Sequence, residues 1–140
     1  MEWMLLPYKR YAEFSGRSRR MEYWMFRLFE FGVLMALLVL SIGLSAAAGS
    51  DGGDTAGGIF ESIGVLLIMA LVLGSFIPGL AVTVRRLHDT GRSGWMLLIS
   101  LIPLIGPIVL LVFLFSDGTH GPNEYGSDPK GENLSGEVFS

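Results

Sequence analysis

The stretch Arg85-Arg86-Leu87-His88-Asp89-Thr90-Gly91-Arg92-Ser93-Gly94-Trp95 gathers three of the ten Lys/Arg residues, one of the two histidines and a carboxylate. Arg17, Arg20 and Glu22 form a second polar cluster upstream. Guanidinium groups bind carboxylate and phosphate through paired hydrogen bonds. Arg17, Arg20, Arg85, Arg86 and Arg92 are therefore candidates for holding an anionic lipid headgroup or a phosphate-bearing ligand. The same cations, set against Glu22, Glu30 and Asp89, are equally candidates for a structural clamp in which His88 also takes part. Catalysis is not expected. His88 and Asp89 are sequence neighbours, a spacing that seldom orients a base and its orienter, and no nucleophile accompanies them. Two ligands are too few for a metal site, and the chain has no cysteine. No metal or cofactor is assigned.

The elements that position these residues follow from composition. The chain has 140 residues, 51% of them hydrophobic and 16% charged. A soluble domain of this size cannot hide that much apolar surface, so the class is an all-α, multi-pass helical membrane protein. The net charge of −3 conceals a segregation of signs. Nine of the ten cations fall in Lys9–Arg27 and Arg85–Arg92, while carboxylates predominate in Asp51–Glu61 and after Phe115. Both basic clusters adjoin hydrophobic runs, which does not describe a nucleic-acid-binding module.

Residues 1–15 mix Trp3, Tyr8, Tyr11 and Phe14 with Lys9 and Arg10, a composition suited to an N-terminal interfacial segment. Ser18 is placed to cap a helix starting at Arg19. The first span is expected over about 23–48, roughly 25 residues or ~37 Å of helix. Ala46-Ala47-Ala48 resembles a signal-peptidase site, but the apolar run is longer than a signal-peptide core and Glu2, Glu13 and Glu22 precede it, so the span is expected to stay. Glu30 lies ~9 Å beyond Trp24 along that helix and needs a partner, for which Arg27, Arg85 and Arg86 are candidates. Residues 50–58 read as a flexible acidic loop.

The second span is expected over about 60–84, with Pro78 inside. Gly32-x-x-x-Ala36, Gly43-x-x-x-Ala47 and Gly74-Ser75 offer small faces for helix contact. The hinge then turns, with Gly91 as C-cap, Ser93 as the next N-cap and Asp89 tied to Arg85 or Arg86. A third span is expected over 95–115, kinked at Pro103/Pro107. Two arms of about eight residues, ~12 Å each, are too short to cross a ~30 Å core, which leaves a re-entrant hairpin as the lesser reading. Residues 1–130 make one integral-membrane domain and 131–140 a disordered tail. The positive-inside rule places the N-terminus and the 85–94 hinge in the cytoplasm, and three crossings place the tail outside.

Three stretches carry a resemblance. They are Phe14-x-Gly16-Arg17-x-x-Arg20-x-Glu22-Tyr23-Trp24, the hinge Arg85 to Trp95, and Gly118-Thr119-x-Gly121-x-Asn123-x-Tyr125-Gly126-x-Asp128-Pro129. In order and spacing they resemble the bacterial family known as domain of unknown function 805. The resemblance implies a small multi-pass protein of the bacterial cytoplasmic (inner) membrane with no established activity. Glu30 departs from the family pattern, in which a neutral residue such as Asn is common.

The expected function is thus that of an inner-membrane protein whose hinge is a clamp or an anion site. The alternative is a subunit of a small oligomeric transporter or channel, with Glu30, Pro78 and the Pro103/Pro107 break lining a path. Three helices enclose no pore alone, so that reading requires self-association. The expected partners are the lipid bilayer, anionic lipids within it, and a second copy or another membrane protein, but no nucleic acid.

Overall fold

The computed structural model describes residues 2–48 and 55–131. Its elements are α1 (Glu2–Lys9), α2 (Arg20–Ala47), α3 (Thr55–Asp89), a 3-10 helix (Gly94–Leu101) and α4 (Ile105–Phe115). Among the described residues there is no strand beyond an isolated bridge between Asn123 and Gly126. The expected flexible loop is narrower than its composition suggested, since Thr55–Gly58 already belong to α3. Its remainder, and residues 132–140 of the expected disordered tail, lie outside the described residues, while Gly131 is held by a bond from its N–H to Asp128 O at 2.9 Å.

α2 and α3 are long because apolar surroundings leave the backbone only its own hydrogen bonds. Their apolar stretches, Arg20–Ala47 and Gly57–Asp89, hold 28 and 33 residues and are long and apolar enough to cross a membrane. Only 6% of the most apolar window of the first is buried, and 28% of the second, which is not the pattern of a soluble core helix. The chain divides into two compact units, Arg27–Phe76 and the pair of segments Met1–Phe26 and Ile77–Ser140.

Within Arg27–Phe76, the close helix contact is not at the glycines singled out from sequence. Gly32 and Gly43 face open space, whereas a Cβ added to Gly64 would run into Ser41. One turn away, Ser45 Oγ donates to Glu61 Oε1 at 3.0 Å. Glu30 is met by Arg27 at 2.8 Å on its own helix, as the i, i+3 spacing allows.

The other unit has its core at Tyr23, Phe26, Val82 and Leu114, with Tyr8, Trp24 and Leu110 packed against it. Tyr8 meets Phe26 edge-on at 5.3 Å, so the N-terminal segment is a helix docked on α2. α1 stops at eight residues around a fully buried Pro7, while Leu5, Tyr11 and Phe14 stay exposed. Ser18 is not the expected cap. Its hydroxyl has no hydrogen-bond partner, and its N–H donates to Arg85 O at 3.1 Å.

The expected third span is replaced by a hairpin. Pro103 holds Ile102 extended, at φ −78° and ψ 114°, and the 3-10 helix ends there. Leu104 turns the chain at φ 66°, and α4 begins at Ile105. Gly106 lets the arms close up, since a Cβ there would collide with the Ile99 carbonyl. Both ends of the segment return to one place on α3. A Cβ on Gly94 would sit 2.8 Å from Val84 Cγ1, and Leu114 O accepts from Arg86 Nε at 3.2 Å. A continuous kinked helix would have carried Leu114 away from Arg86.

Candidate functional site: a buried arginine–aspartate clamp

α3 ends in a Schellman motif, in which Arg92 N donates to Leu87 O and Gly91 N to His88 O, both at 3.0 Å. Gly91 takes φ 70°, the conformation this motif needs and glycine supplies without strain. Ser93 then caps the 3-10 helix, accepting from Trp95 N at 3.4 Å. These two caps agree with the sequence reading. They hold the last turn of α3, with Arg85, Arg86 and Asp89, at the bottom of a polar cap.

Asp89 is the node of that cap. Its Oδ1 accepts from Arg17 Nε at 3.0 Å, and its Oδ2 accepts from Arg86 Nη1. Its main-chain carbonyl accepts from Thr119 N at 2.8 Å and from Thr119 Oγ1 at 3.2 Å. The arginines spend their other donors on carbonyls. Arg17 reaches Gly121 O at 2.6 Å and Thr119 O at 2.5 Å. Arg86 reaches Leu114 O at 3.2 Å and also Ser116 O. Those last two carbonyls belong to the C-terminal end of α4, which has no intrahelical donors for them, so Arg86 caps α4 with a full positive charge. Arg17, Arg86 and Asp89 are all buried.

The segment after α4 closes the site, and it was not assigned to the site from sequence. Asn123 Nδ2 donates to His88 O and to Thr119 Oγ1, both at 2.9 Å, while its Oδ1 accepts from Tyr125 N at 2.9 Å. Tyr125 stacks on His88 with centroids 4.0 Å apart and planes 2° from parallel. The His88 ring is also held by Gly16 O, 3.2 Å from Nδ1. Arg19 donates to Pro129 O at 2.7 Å. Thr119, Asn123, Tyr125 and Asp128 all stood in the third resembling stretch, which was the available signal.

The remaining candidates fall around this node. Arg20 pairs with Asp117 at 2.6 Å on the surface. Arg92 lies over the Phe113 ring, 4.0 Å from its centroid. Glu22 and Arg85 make a second, looser pair. Both are buried, their nearest atoms are 3.5 Å apart, and neither Arg85 Nη1, Arg85 Nη2 nor Glu22 Oε1 has a hydrogen-bond partner. Arg85 is thus not the partner of Asp89 that one reading of the spacing allowed.

Arg85 has only a long bond from Nε to Ala81 O, at 3.4 Å, and a buried pair whose facing atoms make no hydrogen bond recovers little of its desolvation penalty. The Glu22→Leu, Arg85→Met double variant is therefore expected to match or exceed the parent's stability, by up to about 4 kcal/mol. Glu22→Leu alone is expected to lose about 3–5 kcal/mol, because it leaves a buried unpaired guanidinium. Thermal unfolding in mild detergent measures both. A double variant less stable than the parent would mean that the pair is net stabilising.

The outer tie of the cap is Asp128. Its carboxylate accepts from Lys130 N at 2.9 Å and from Gly121 N at 3.0 Å. These two backbone hydrogen bonds hold its pKa below the ordinary 3.8, with the charge of Arg17 adding to the effect. A depressed carboxylate pKa gives stability that is complete above the unfolded value and lost as pH falls through the folded one. Residues 119–130 are therefore expected to stay docked at neutral pH and to loosen below pH 3.8. Limited proteolysis with pepsin across that range reads this out, and Asp128→Asn should be loose already at neutral pH under a neutral protease. Equal protection of parent and variant would show that the tie is dispensable.

The family model described as Protein of unknown function (DUF805) matches residues 11–127. "Inner membrane protein YhaI" of Escherichia coli (strain K12) is 42% identical over 132 residues, covering 93% of this chain and 97% of its own. "Inner membrane protein YhaH" of the same strain is also 42% identical over 132 residues, covering 93% of this chain and 98% of its own. No solved structure matches the chain. The matched range takes in Arg17, Arg86 and Asp89 together with the Thr119–Tyr125 closure, and the chain belongs to the DUF805 family of proteins of unknown function.

Proposed function

We propose that the protein is a non-enzymatic, multi-pass protein of the bacterial cytoplasmic membrane whose polar hinge is a structural clamp, with the N-terminus and residues 85–94 on the cytoplasmic face. The membrane assignment is supported by the two long apolar helices and by the names of both relatives. The orientation is supported by the cations gathered at Lys9–Arg27 and Arg85–Arg92.

One observation carries the clamp. Both carboxylate oxygens of Asp89 are taken by Arg17 and Arg86, and every other guanidinium nitrogen of the two donates to a backbone carbonyl. Both guanidinium groups are buried and engaged at all three nitrogens. The anion-binding reading narrows to surface cations such as Lys9 and Arg20, worth about 1 kcal/mol each beside an anionic membrane. Glu30 is engaged by Arg27, which removes the main support for an ion path.

Replacement of Asp89 tests the proposal, read by amide hydrogen exchange over residues 117–131 and by mass analysis of co-purifying lipid. The clamp predicts faster exchange there with lipid retention unchanged. Lost lipid with exchange unchanged would sink it.

A further inference from the structure

Residues 94–115 carry no charged side chain. Their single hydroxyl, Ser100 Oγ, is turned inward on Leu97 O at 2.6 Å. Polarity instead changes along the hairpin axis. Its base is flanked by Arg92 and Ser93 on one side and by Ser116 and Asp117 on the other, all next to the clamp. Its tip is Pro103-Leu104. Trp95 near the base, Leu101 and Leu104 are exposed at 79%, 74% and 84%.

Each arm is ~16 Å long, eight residues at about 2.0 Å in the 3-10 helix and eleven at about 1.5 Å in α4. That is half of a ~30 Å hydrocarbon core. Most backbone donors around the tip are satisfied for such depth. The N–H groups of Ile102, Ile105 and Gly106 are bonded to carbonyls within the hairpin and Pro103 has none to satisfy, which leaves only the Leu104 N–H without a bond there.

We infer that residues 94–115 are a half-membrane hairpin, which enters the acyl chains of the leaflet on the clamp side and returns to that side. A second copy of the chain would call for a stripe of complementary side chains. The gradient here runs from charged base to apolar tip, which is the profile of one leaflet. The chain then crosses the membrane twice, and the tail lies on the same side as the N-terminus and the hinge. This follows from the packing of the tail on the hinge rather than from the strength of the clamp. A harmless Asp89 replacement would remove the clamp reading and leave this inference standing.

The chain has no cysteine, so single cysteines report sidedness directly. Ser15 and Ser127 are exposed in the structure, and Ser50 lies in the connection between α2 and α3. With an impermeant maleimide on intact cells, Ser15→Cys and Ser127→Cys are expected to behave alike and Ser50→Cys oppositely. Ser127→Cys labelling together with Ser50→Cys would overturn the hairpin. Depth is read in proteoliposomes of brominated phospholipid, in a Trp3→Phe, Trp24→Phe background. Trp95 is expected to be quenched best by bromines near the headgroup. A tryptophan from Leu101→Trp in a Trp95→Phe chain should respond best to bromines ~12 Å deeper, six residues of 3-10 rise. Quenching of that probe only by shallow bromines, or by none because a second copy covers it, would overturn the inference.

Discussion

Asp89→Ala is expected to destabilise the protein in mild detergent by about 3–5 kcal/mol, the range for breaking a buried pair by removing one partner. The size follows from what is left behind. Arg17 and Arg86 would both remain buried and close together, Arg86 having lost its charged acceptor and Arg17 keeping only the more distant Asp128, 4.0 Å away. Their hydrogen bonds to carbonyls cannot replace a carboxylate, because a carbonyl brings no compensating charge. Removing Arg17 as well takes away one of the two stranded charges, so Arg17→Ala, Asp89→Ala should lose less than the sum of the single variants. Asp89→Glu is expected to fail also, although it keeps the charge. A Cβ on Gly118 would run into the Asp89 carboxylate, so no room remains there for another methylene. Additive losses in the double variant, or full rescue by glutamate, would show that surface charge and not the clamp geometry matters.

Gly106→Ala is expected to destabilise by about 1–3 kcal/mol, the usual penalty of overpacking. The atom in the way is the backbone carbonyl of Ile99, which cannot rotate aside as a side chain can. The arms must splay, and the Ile102–Gly106 turn bonds must stretch. Gly32→Ala and Gly43→Ala supply the control. Their Cβ atoms would meet open space, and alanine in a helix interior gains up to about 1 kcal/mol over glycine. They should leave stability unchanged or raise it. Thermal unfolding of the three variants side by side decides the matter, and an unaffected Gly106→Ala would mean that the arms are not in close contact.

The two long helices were legible in the sequence because apolar length has only one good use. The caps at Gly91 and Ser93, the Arg27–Glu30 pair and the Arg86–Asp89 pair were legible because each lies within a few residues of its partner. The hairpin was not. A crossing helix and two half-length arms have the same composition over residues 95–115, and what separates them is whether Pro103 kinks or ends its helix. That choice rests on Gly106 admitting the Ile99 carbonyl and on the tail bonding to the hinge, and both are contacts between elements. Arg17 finds Asp89 across 72 positions, which no local spacing reveals. The tail motif was visible, but it was placed on the far side by assuming a third crossing. A count of cations gave no warning there, since the segment after Phe115 has only Lys130, and carboxylates contribute little to orientation.

The carbonyls of Thr119 and Gly121, which satisfy Arg17, are made about a hundred residues after it. While the ribosome is still translating α3, that arginine has neither Asp89 nor its carbonyl acceptors. The two long helices are therefore made with the cap open, and closing it is a late act of biogenesis. A chain interrupted between Asp89 and Thr119 holds its helices and an unfinished cap, with Arg17 short of its two carbonyl acceptors. Release of Gly121 from the ribosome supplies them, so completed and interrupted chains differ at a residue near the beginning of the protein rather than only at their ends.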